Sequence, residues 1–378
     1  MLRDNLNVVD FFAGAGGLSL GAVRAGFNVA GAIELDKKAI DTHIRNFPNT
    51  KHFEIDLSKI KASELKKILL TDIHNIDGII GGPPCQGFSY MGHRNENDVR
   101  NNLFMRFFEF IEEIRPSFFV AENVLGILDD KYKSLRDAAL NKITGYTILS
   151  PLIIRADEYG APTTRTRVFF IGYRKKEGIN LSENDFYSAK VPENEKIRVK
   201  DALLGLPTKI YSEGSGYGKL AQKELEKLKR PETLSFYKHI RGLIPQGIGN
   251  PKSIALYRKK IVTGCFPTKH SEEIINRYEN LKYGQQDNIS KSVKLNPDGF
   301  CPTLRAGTGP EKGSYQAVRP IHFAEPRVIT PREAARLQGF PDWFEFQPTI
   351  WHSFRQIGNS VSPIVAEKIL SVIFQKLT

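Results

Sequence analysis

The sequence predicts an α/β fold: an open, mostly parallel sheet flanked by helices, with a smaller segment inserted before the chain returns to the sheet. Three observations carry this. β-rich runs in the first half end in glycine, cysteine or an acid at their carboxyl ends. Apolar residues between them recur at helical spacing. After Tyr173 this pattern gives way to a stretch rich in Gly, Pro and basic residues, and an apolar helix closes the chain.

Asn7 to Phe12 reads as the first strand. It ends at Ala13-Gly14-Ala15-Gly16-Gly17, where glycines permit a tight turn and close approach of a ligand to the backbone. Leu18, Leu20 and Val23 suit a following helix, and Val29 to Ile33 a second strand ending in Glu34, an acid placed to accept from ribose hydroxyls. The glycine run lacks the GxGxxG fingerprint, so by itself it marks a turn as readily as a nucleoside site. Asp56 follows a short run, His52 to Ile55, and can face an adenine amino group. Asp77 to Ile80 leads into Gly81-Gly82-Pro83-Pro84-Cys85, and Ser117 to Ala121 into Glu122-Asn123-Val124. Leu103, Phe104, Phe107, Phe108, Ile111 and Ile114 have the period of a helix buried on one face, so the phenylalanines read as core. Arg167 to Tyr173 supplies a late strand, preceded by Arg165. Ligands in such sheets bind beyond the carboxyl ends of the strands, so one cleft should collect these residues.

Farther on, Arg174 to Glu195 reads as a polar linker, residues 212–218 as a loop and Ala221 to Arg230 as a charged surface helix. From there to Pro326 apolar runs are short, and Ser362 to Leu377 forms an apolar helix.

The chain carries 54 Lys and Arg against 42 Asp and Glu, a net charge of +12, which favours a polyanionic partner. Charge selects a partner class and no reaction. The three cysteines, at 85, 265 and 301, form no CxxC pair, and His270 completes no zinc spacing with Cys265. No metal is expected, and the compartment reads as reducing and cytoplasmic. No secretory leader and no spanning apolar run are seen, so no membrane is expected.

Several ordered blocks resemble the cytosine-5 DNA methyltransferase family. Residues 10–17 (DFFAGAGG) look like its cofactor loop, and Gly82-Pro83-Pro84-Cys85-Gln86-Gly87-Phe88-Ser89 like its nucleophile motif. Glu122-Asn123-Val124 matches the block of the catalytic glutamate, and Arg165-Thr166-Arg167 the paired arginines. Residues 332–341 and 355–361 (RQIGNSV) look like the last two blocks. One departure is Thr163, where the family usually has Gln.

The resemblance implies an S-adenosylmethionine-dependent, Rossmann-like open sheet, with a discontinuous catalytic domain (1–185 plus 327–378) around a target-recognition domain (186–326). It implies S-adenosyl-L-methionine as methyl donor, S-adenosyl-L-homocysteine as its product, and transfer to carbon 5 of a cytosine flipped out of double-stranded DNA. Phe12 and Leu35 would contact adenine, Glu34 the ribose and Asp56 the adenine amino group. Gly14, Gly16, Gly17 and Leu18 would pass the methionine part, and Asn359 and Ser360 would close or support the pocket. Cys85 would add to cytosine carbon 6, Glu122 would act at nitrogen 3 and the exocyclic amine, and Arg167 would hold oxygen 2. Arg165 would steady the active-site loop or a nearby phosphate. Ser89, His93 and Arg94, in a loop that closes over DNA, and Arg305 would contact DNA, though a packing role suits the segment around Thr303 and Leu304 equally.

No regulatory extension precedes Val8, which fits a monofunctional bacterial or phage modification enzyme, monomeric by resemblance; the sequence leaves open whether a restriction endonuclease acting on the same site, without a stable complex, accompanies it. Two competitors are an RNA methyltransferase of the same fold, whose Cys-Phe-Thr signature is missing here, and a DNA-binding protein that has lost catalysis. The second conflicts with the presence of Cys85, Glu122 and the loop glycines.

Overall fold

The computed structural model describes residues 6–84, 101–175, 178, 180–210, 216–305 and 319–378, with only the backbone of 101 and 102. Alternation along the strands builds two cores, because successive strand residues point to opposite faces. Val8, Ile80, Phe118 and Val120 face one layer. Val9, Phe11, Ile79, Phe119 and Ala121 face the other.

The sheet-forming half runs β1 (Asn7–Phe11), α1 (Gly17–Ala25), β2 (Asn28–Ile33), α2 (Lys37–Asn46), β3 (Lys51–Phe53), α3 (Ala62–Asp72), β4 (Gly78–Gly81), α4 (Asn101–Ile114), β5 (Phe118–Asn123), α5 (Lys133–Leu140), β6 (Tyr146–Ile148), β7 (Leu152–Arg155) and β8 (Thr166–Arg174). The strand order is β3-β2-β1-β4-β5-β8-β6, with β7 also paired to β8. β1 to β5 are mutually parallel. β8 is antiparallel to β5, β6 and β7, so the mostly parallel sheet expected from the sequence is mixed at one edge. The reason is local: β7 and β8 form a hairpin, and a hairpin needs no crossover helix. The reversal matters for the site, because it brings the residues before β8, Arg165 included, to the edge where β1, β2, β4 and β5 end.

The remainder runs α6 (Glu183–Tyr187), α7 (Val199–Leu203), β9 (Tyr217–Lys219), α8 (Gln222–Glu226), α9 (Pro231–Arg241), α10 (Pro251–Arg258), β10 (Ile261–Thr263), α11 (Glu272–Glu279), α12 (Pro331–Leu337), α13 (Ile350–Asn359) and α14 (Pro363–Leu377). Two sequence expectations need correction here. The stretch taken as a linker holds α6, started by a Ser182/Asp185 capping box, with Phe186 fully buried. The stretch taken as a surface helix is α8 plus a 3-10 turn, and its Leu225 and Leu228 are buried. Isolated apolar residues among many charges gave too weak a period to reveal either. Leu225, Leu228, Phe236 and Ile240 join the same apolar cluster as Leu18 and Ile364, so this core runs on through the inserted segment. Tyr278, Ile321 and Val328 form a separate small cluster.

α14 returns to pack on α1, as the sequence suggested. The approach is so close that a Cβ on Gly21 would lie 2.3 Å from the Ala366 Cβ and 2.6 Å from the Glu367 backbone nitrogen. Gly21→Ala is therefore expected to cost about 1–3 kcal/mol despite alanine's better helix propensity; a lower urea midpoint would record it. Residues Ile350–Leu377 satisfy the length and composition of a membrane span, yet 67% of their most apolar window is buried in the protein. The bend after Asn359 divides them into two packed helices.

Candidate active site

The carboxyl ends of β1, β2, β4 and β5 open onto a cleft of about 510 Å3. Phe12, Gly14, Gly17, Leu18, Glu34, Leu35, Asp56, Glu122, Arg165, Arg167, Asn359 and Ser360 all line it. Cys85, Ser89, His93 and Arg94 lie outside the described residues, but Gly82, Pro83 and Pro84 lead to Cys85 along the cleft wall. Gly16 and the exposed Arg305 do not line it. Asp36, Lys38 and His352 line it without having been singled out from the sequence, as do Arg355 and Gln356, which lay in the 355–361 block but were given no role. The meeting of α2 with α13 places them here.

The glycine loop divides its tasks. Gly14, at φ +57°, has open space where a Cβ would stand, on the cleft side. Gly16, at φ +100°, packs on the other side, where a Cβ would meet Phe47 at 2.4 Å and His43 at 3.0 Å. A Cβ on Gly17 would fall 2.3 Å from the Val361 carbonyl oxygen, so only glycine lets the loop cross the C-terminal block there. Phe12 adopts φ 59°, a conformation costing a non-glycine residue about 1–2 kcal/mol.

Glu34 is held by backbone amides: Gly14 donates to Oε2 at 2.8 Å, and Leu35 and Asp36 donate to Oε1, each at 2.8 Å. Burial raises its pKa, with these three bonds opposing the rise. A carboxylate so fixed at the cleft, between the apolar Phe12 and Leu35, suits the hydroxyl pair of a ribose. Asp56 accepts from the Ser58 hydroxyl at 2.6 Å and pairs with Lys59 at 3.3 Å, and the Ser58 bond leads the causes that lower its pKa.

On the opposite wall, Glu122 is buried at the end of β5 and its Oε1 lies 2.8 Å from Arg167 Nε. A Cβ on Gly82 would come within 3.1 Å of Glu122 Oε2, so glycine leaves room for that carboxylate. Asn123 Nδ2 donates to the Pro83 carbonyl at 3.3 Å while its Oδ1 accepts from the Val124 amide at 2.9 Å. One asparagine thus ties the strand holding Glu122 to the segment leading into Cys85.

Arg165 is buried, and its Nη1 donates to the carbonyls of Gly358 at 2.8 Å and Leu304 at 3.4 Å. These bonds tie Arg165 to α13 and to the segment that ends at Arg305. Thr163, at the departure from the family pattern, is buried and forms a bridge with Cys301; its hydroxyl accepts from the Arg165 amide at 3.4 Å. Thr164 and Pro162 complete that pairing through Cys301. The loop ending at Arg305 is thereby anchored beside the arginine pair. Burial pushes the Cys265 thiol up to about 12 and Cys301 higher still, so both are inert packing residues.

Beneath the glycine loop runs a buried polar chain. Ser19 donates to Asp10 Oδ2 at 2.6 Å, His43 Nε2 lies 2.9 Å from the Ser19 hydroxyl, and His43 Nδ1 lies 2.9 Å from His52 Nε2. Asp10 is fully buried, and desolvation raises its pKa to about 7. Its native state therefore binds a proton that the unfolded chain releases near pH 4. The stability this supplies is complete below pH 4 and lost as pH rises to 7. Asp10→Asn, which keeps an acceptor for Ser19, should be more stable than the wild type by up to about 4 kcal/mol at pH 8, with little difference at pH 4. Urea midpoints at the two pH values measure this.

Known proteins share this arrangement. The profile of the C-5 cytosine-specific DNA methylase family matches residues 6–375. Type II methyltransferase M.XorII of Xanthomonas oryzae pv. oryzae is 34% identical over 98% of this chain and 84% of its own. Type II methyltransferase M.DdeI of Desulfomicrobium norvegicum is 33% identical over 96% of this chain and 87% of its own. Among solved structures, a DNA modification methyltransferase encoded within an E. coli prophage aligns with a TM-score of 0.86 at 47% identity, over 99% of both chains. S. pombe Dnmt2, at 18% identity and a TM-score of 0.64, shows the same fold. With a match running from Leu6 to Gln375, this chain belongs to the C-5 cytosine-specific DNA methylase family.

Proposed function

We propose that this DNA cytosine-5 methyltransferase works through a covalent bond between Cys85 and carbon 6 of a cytosine rotated out of the duplex, with S-adenosylmethionine bound at the glycine-loop end of the cleft. The observation that carries the reading is the shared cleft: the Glu34 cradle and glycine loop, the Glu122–Arg167 pair, and Pro83 and Pro84, which immediately precede Cys85 in the sequence, all line it. The lining fits the cofactor, with open space at Gly14 and a fixed carboxylate for the ribose. Bound, it supplies an electrophilic methyl group on a sulfonium.

Carbon 5 of cytosine is a weak nucleophile. Addition of the Cys85 thiolate to carbon 6 makes carbon 5 nucleophilic by pushing electron density toward nitrogen 3. Glu122 hydrogen-bonds nitrogen 3 and the exocyclic amine and offsets that charge, while Arg167, already paired to Glu122, holds oxygen 2. After transfer, loss of the carbon 5 proton expels Cys85 as thiolate. Water is one candidate for the base. Rotating the target out of the stack costs a few kcal/mol, which closure of the segment after Cys85 over the base, with Ser89, His93 and Arg94 on the DNA, offsets.

Residues 186–326 serve as the recognition part, with Arg305 toward DNA, and 1–185 plus 327–378 as the catalytic part. The enzyme acts in the cytoplasm as a monomer, in a restriction-modification system like its type II relatives.

Transfer of labelled methyl groups from S-adenosylmethionine to mixed-sequence duplex DNA, with tRNA in parallel, tests the substrate. Label at cytosine carbon 5 of DNA alone is expected. Label on tRNA alone would overturn the DNA reading.

A further inference from the structure

The cleft is closed on one side by two helices remote in sequence, and a polar lock joins them. Gln356 on α13 is buried and lines the cleft. Its Nε2 donates to the Lys38 carbonyl at 2.9 Å and to the Thr42 hydroxyl at 3.1 Å, both on α2. Its Oε1 lies 3.3 Å from the Gln347 amide nitrogen and 3.3 Å from the Thr42 hydroxyl. Gln347 also donates to the Lys38 carbonyl, at 2.9 Å. One residue earlier, Arg355 Nη1 reaches across the rim to Asp36 Oδ2 at 2.9 Å, both side chains partly exposed.

The placement gives this lock its meaning. Asp36 caps α2 through Oδ1, which accepts from Lys38 and Ala39, and its own amide donates to Glu34. The first turn of α2 is therefore rigidly joined to the Glu34 cradle. Asn359, one turn after Gln356 on α13, lines the same cleft. The distance between the two walls is set where α13 grips α2.

We infer that Gln356 is a positioning residue for the cofactor, assisted by Arg355. Its amide fixes the width of the nucleoside pocket, and the Arg355–Asp36 pair latches the rim. This rests on the cofactor reading above and extends it to residues with no chemical role in the transfer. The amide donates to the Lys38 carbonyl and accepts from the Gln347 backbone amide at once, which an ionised carboxylate of the same shape cannot do. A carboxylate at 356 would lose the donor and face that carbonyl.

The test is S-adenosylhomocysteine binding by calorimetry and its dissociation rate by stopped flow, without DNA. Melting of the ligand-free proteins controls for folding. Saturable binding by the wild type is expected, and its absence would overturn the cofactor reading and this inference together. Gln356→Glu should weaken binding about tenfold or more, raising KM for S-adenosylmethionine with kcat at saturating cofactor within about threefold. Arg355→Ala should speed dissociation about threefold, with Arg355→Lys restoring most of it, since a partly exposed pair contributes modestly. A Gln356→Glu protein that melts earlier yet binds with wild-type affinity would overturn the inference, leaving Gln356 a packing residue. Should that variant not fold, an unchanged dissociation rate in Arg355→Ala would overturn it equally.

Discussion

Replacing Cys85 by alanine is expected to abolish methyl transfer, lowering kcat by on the order of 10⁴-fold or more, because the proposed mechanism activates the ring through that thiolate. Without addition at carbon 6, carbon 5 has no electron density to offer the sulfonium methyl, and no neighbouring group can replace a carbon–sulfur bond. The cofactor half of the cleft, built on the Gly14–Glu34 bond and the Gly17–Val361 crossing, does not depend on Cys85. S-adenosylhomocysteine should therefore bind the variant with wild-type affinity. Rapid-quench assays of labelled methyl transfer, paired with calorimetry, separate the two quantities.

The second large effect is expected for Glu122→Gln, with kcat lowered about 10²–10⁴-fold, the range for loss of a positioned acid or base. Glutamine keeps the shape but gives up the charge in the 2.8 Å ion pair with Arg167 Nε. What is lost is the ability to hold a proton at one stage and accept at another while charge builds on the ring. Since the isosteric glutamine fills the same space beside Gly82, base entry should be little changed and the loss should fall on the chemical step. Single-turnover rates at saturating DNA measure that step directly. A loss confined to KM for DNA would instead assign Glu122 to binding.

Much of this site was legible in the sequence because its chemistry sits on short contiguous blocks at strand ends. The glycine loop, Glu34, Asp56, Glu122 and the arginine pair each follow or precede a β-rich run, and the sheet gathers those ends by topology alone. Three features were not legible. The antiparallel direction of β8 depends on a hairpin whose strands look the same in either direction. Gly16, indistinguishable from its neighbours as a glycine, serves packing against Phe47 and His43. The α2–α13 lock joins residues about 310 positions apart (318 between Lys38 and Gln356), and nothing local to Gln356 announces its partner. Leu225, Leu228 and Phe186 were hidden differently, as single apolar residues in charged surroundings whose burial arises only when the inserted segment folds onto α14 and its neighbours.

The central claim is that catalysis passes through a covalent bond from Cys85 to the target base. A duplex carrying 5-fluorocytosine tests it most directly, because the fluorine at carbon 5 cannot leave as a proton does and the adduct persists after methyl transfer. Incubation of the wild-type protein with S-adenosylmethionine and such duplexes of mixed sequence should yield a denaturation-resistant protein–DNA complex. Mass spectrometry should map the linkage to Cys85, and C85A should form none. A wild-type enzyme that methylates unmodified DNA at carbon 5 yet forms no such complex, or an adduct mapped to another residue, would contradict the account.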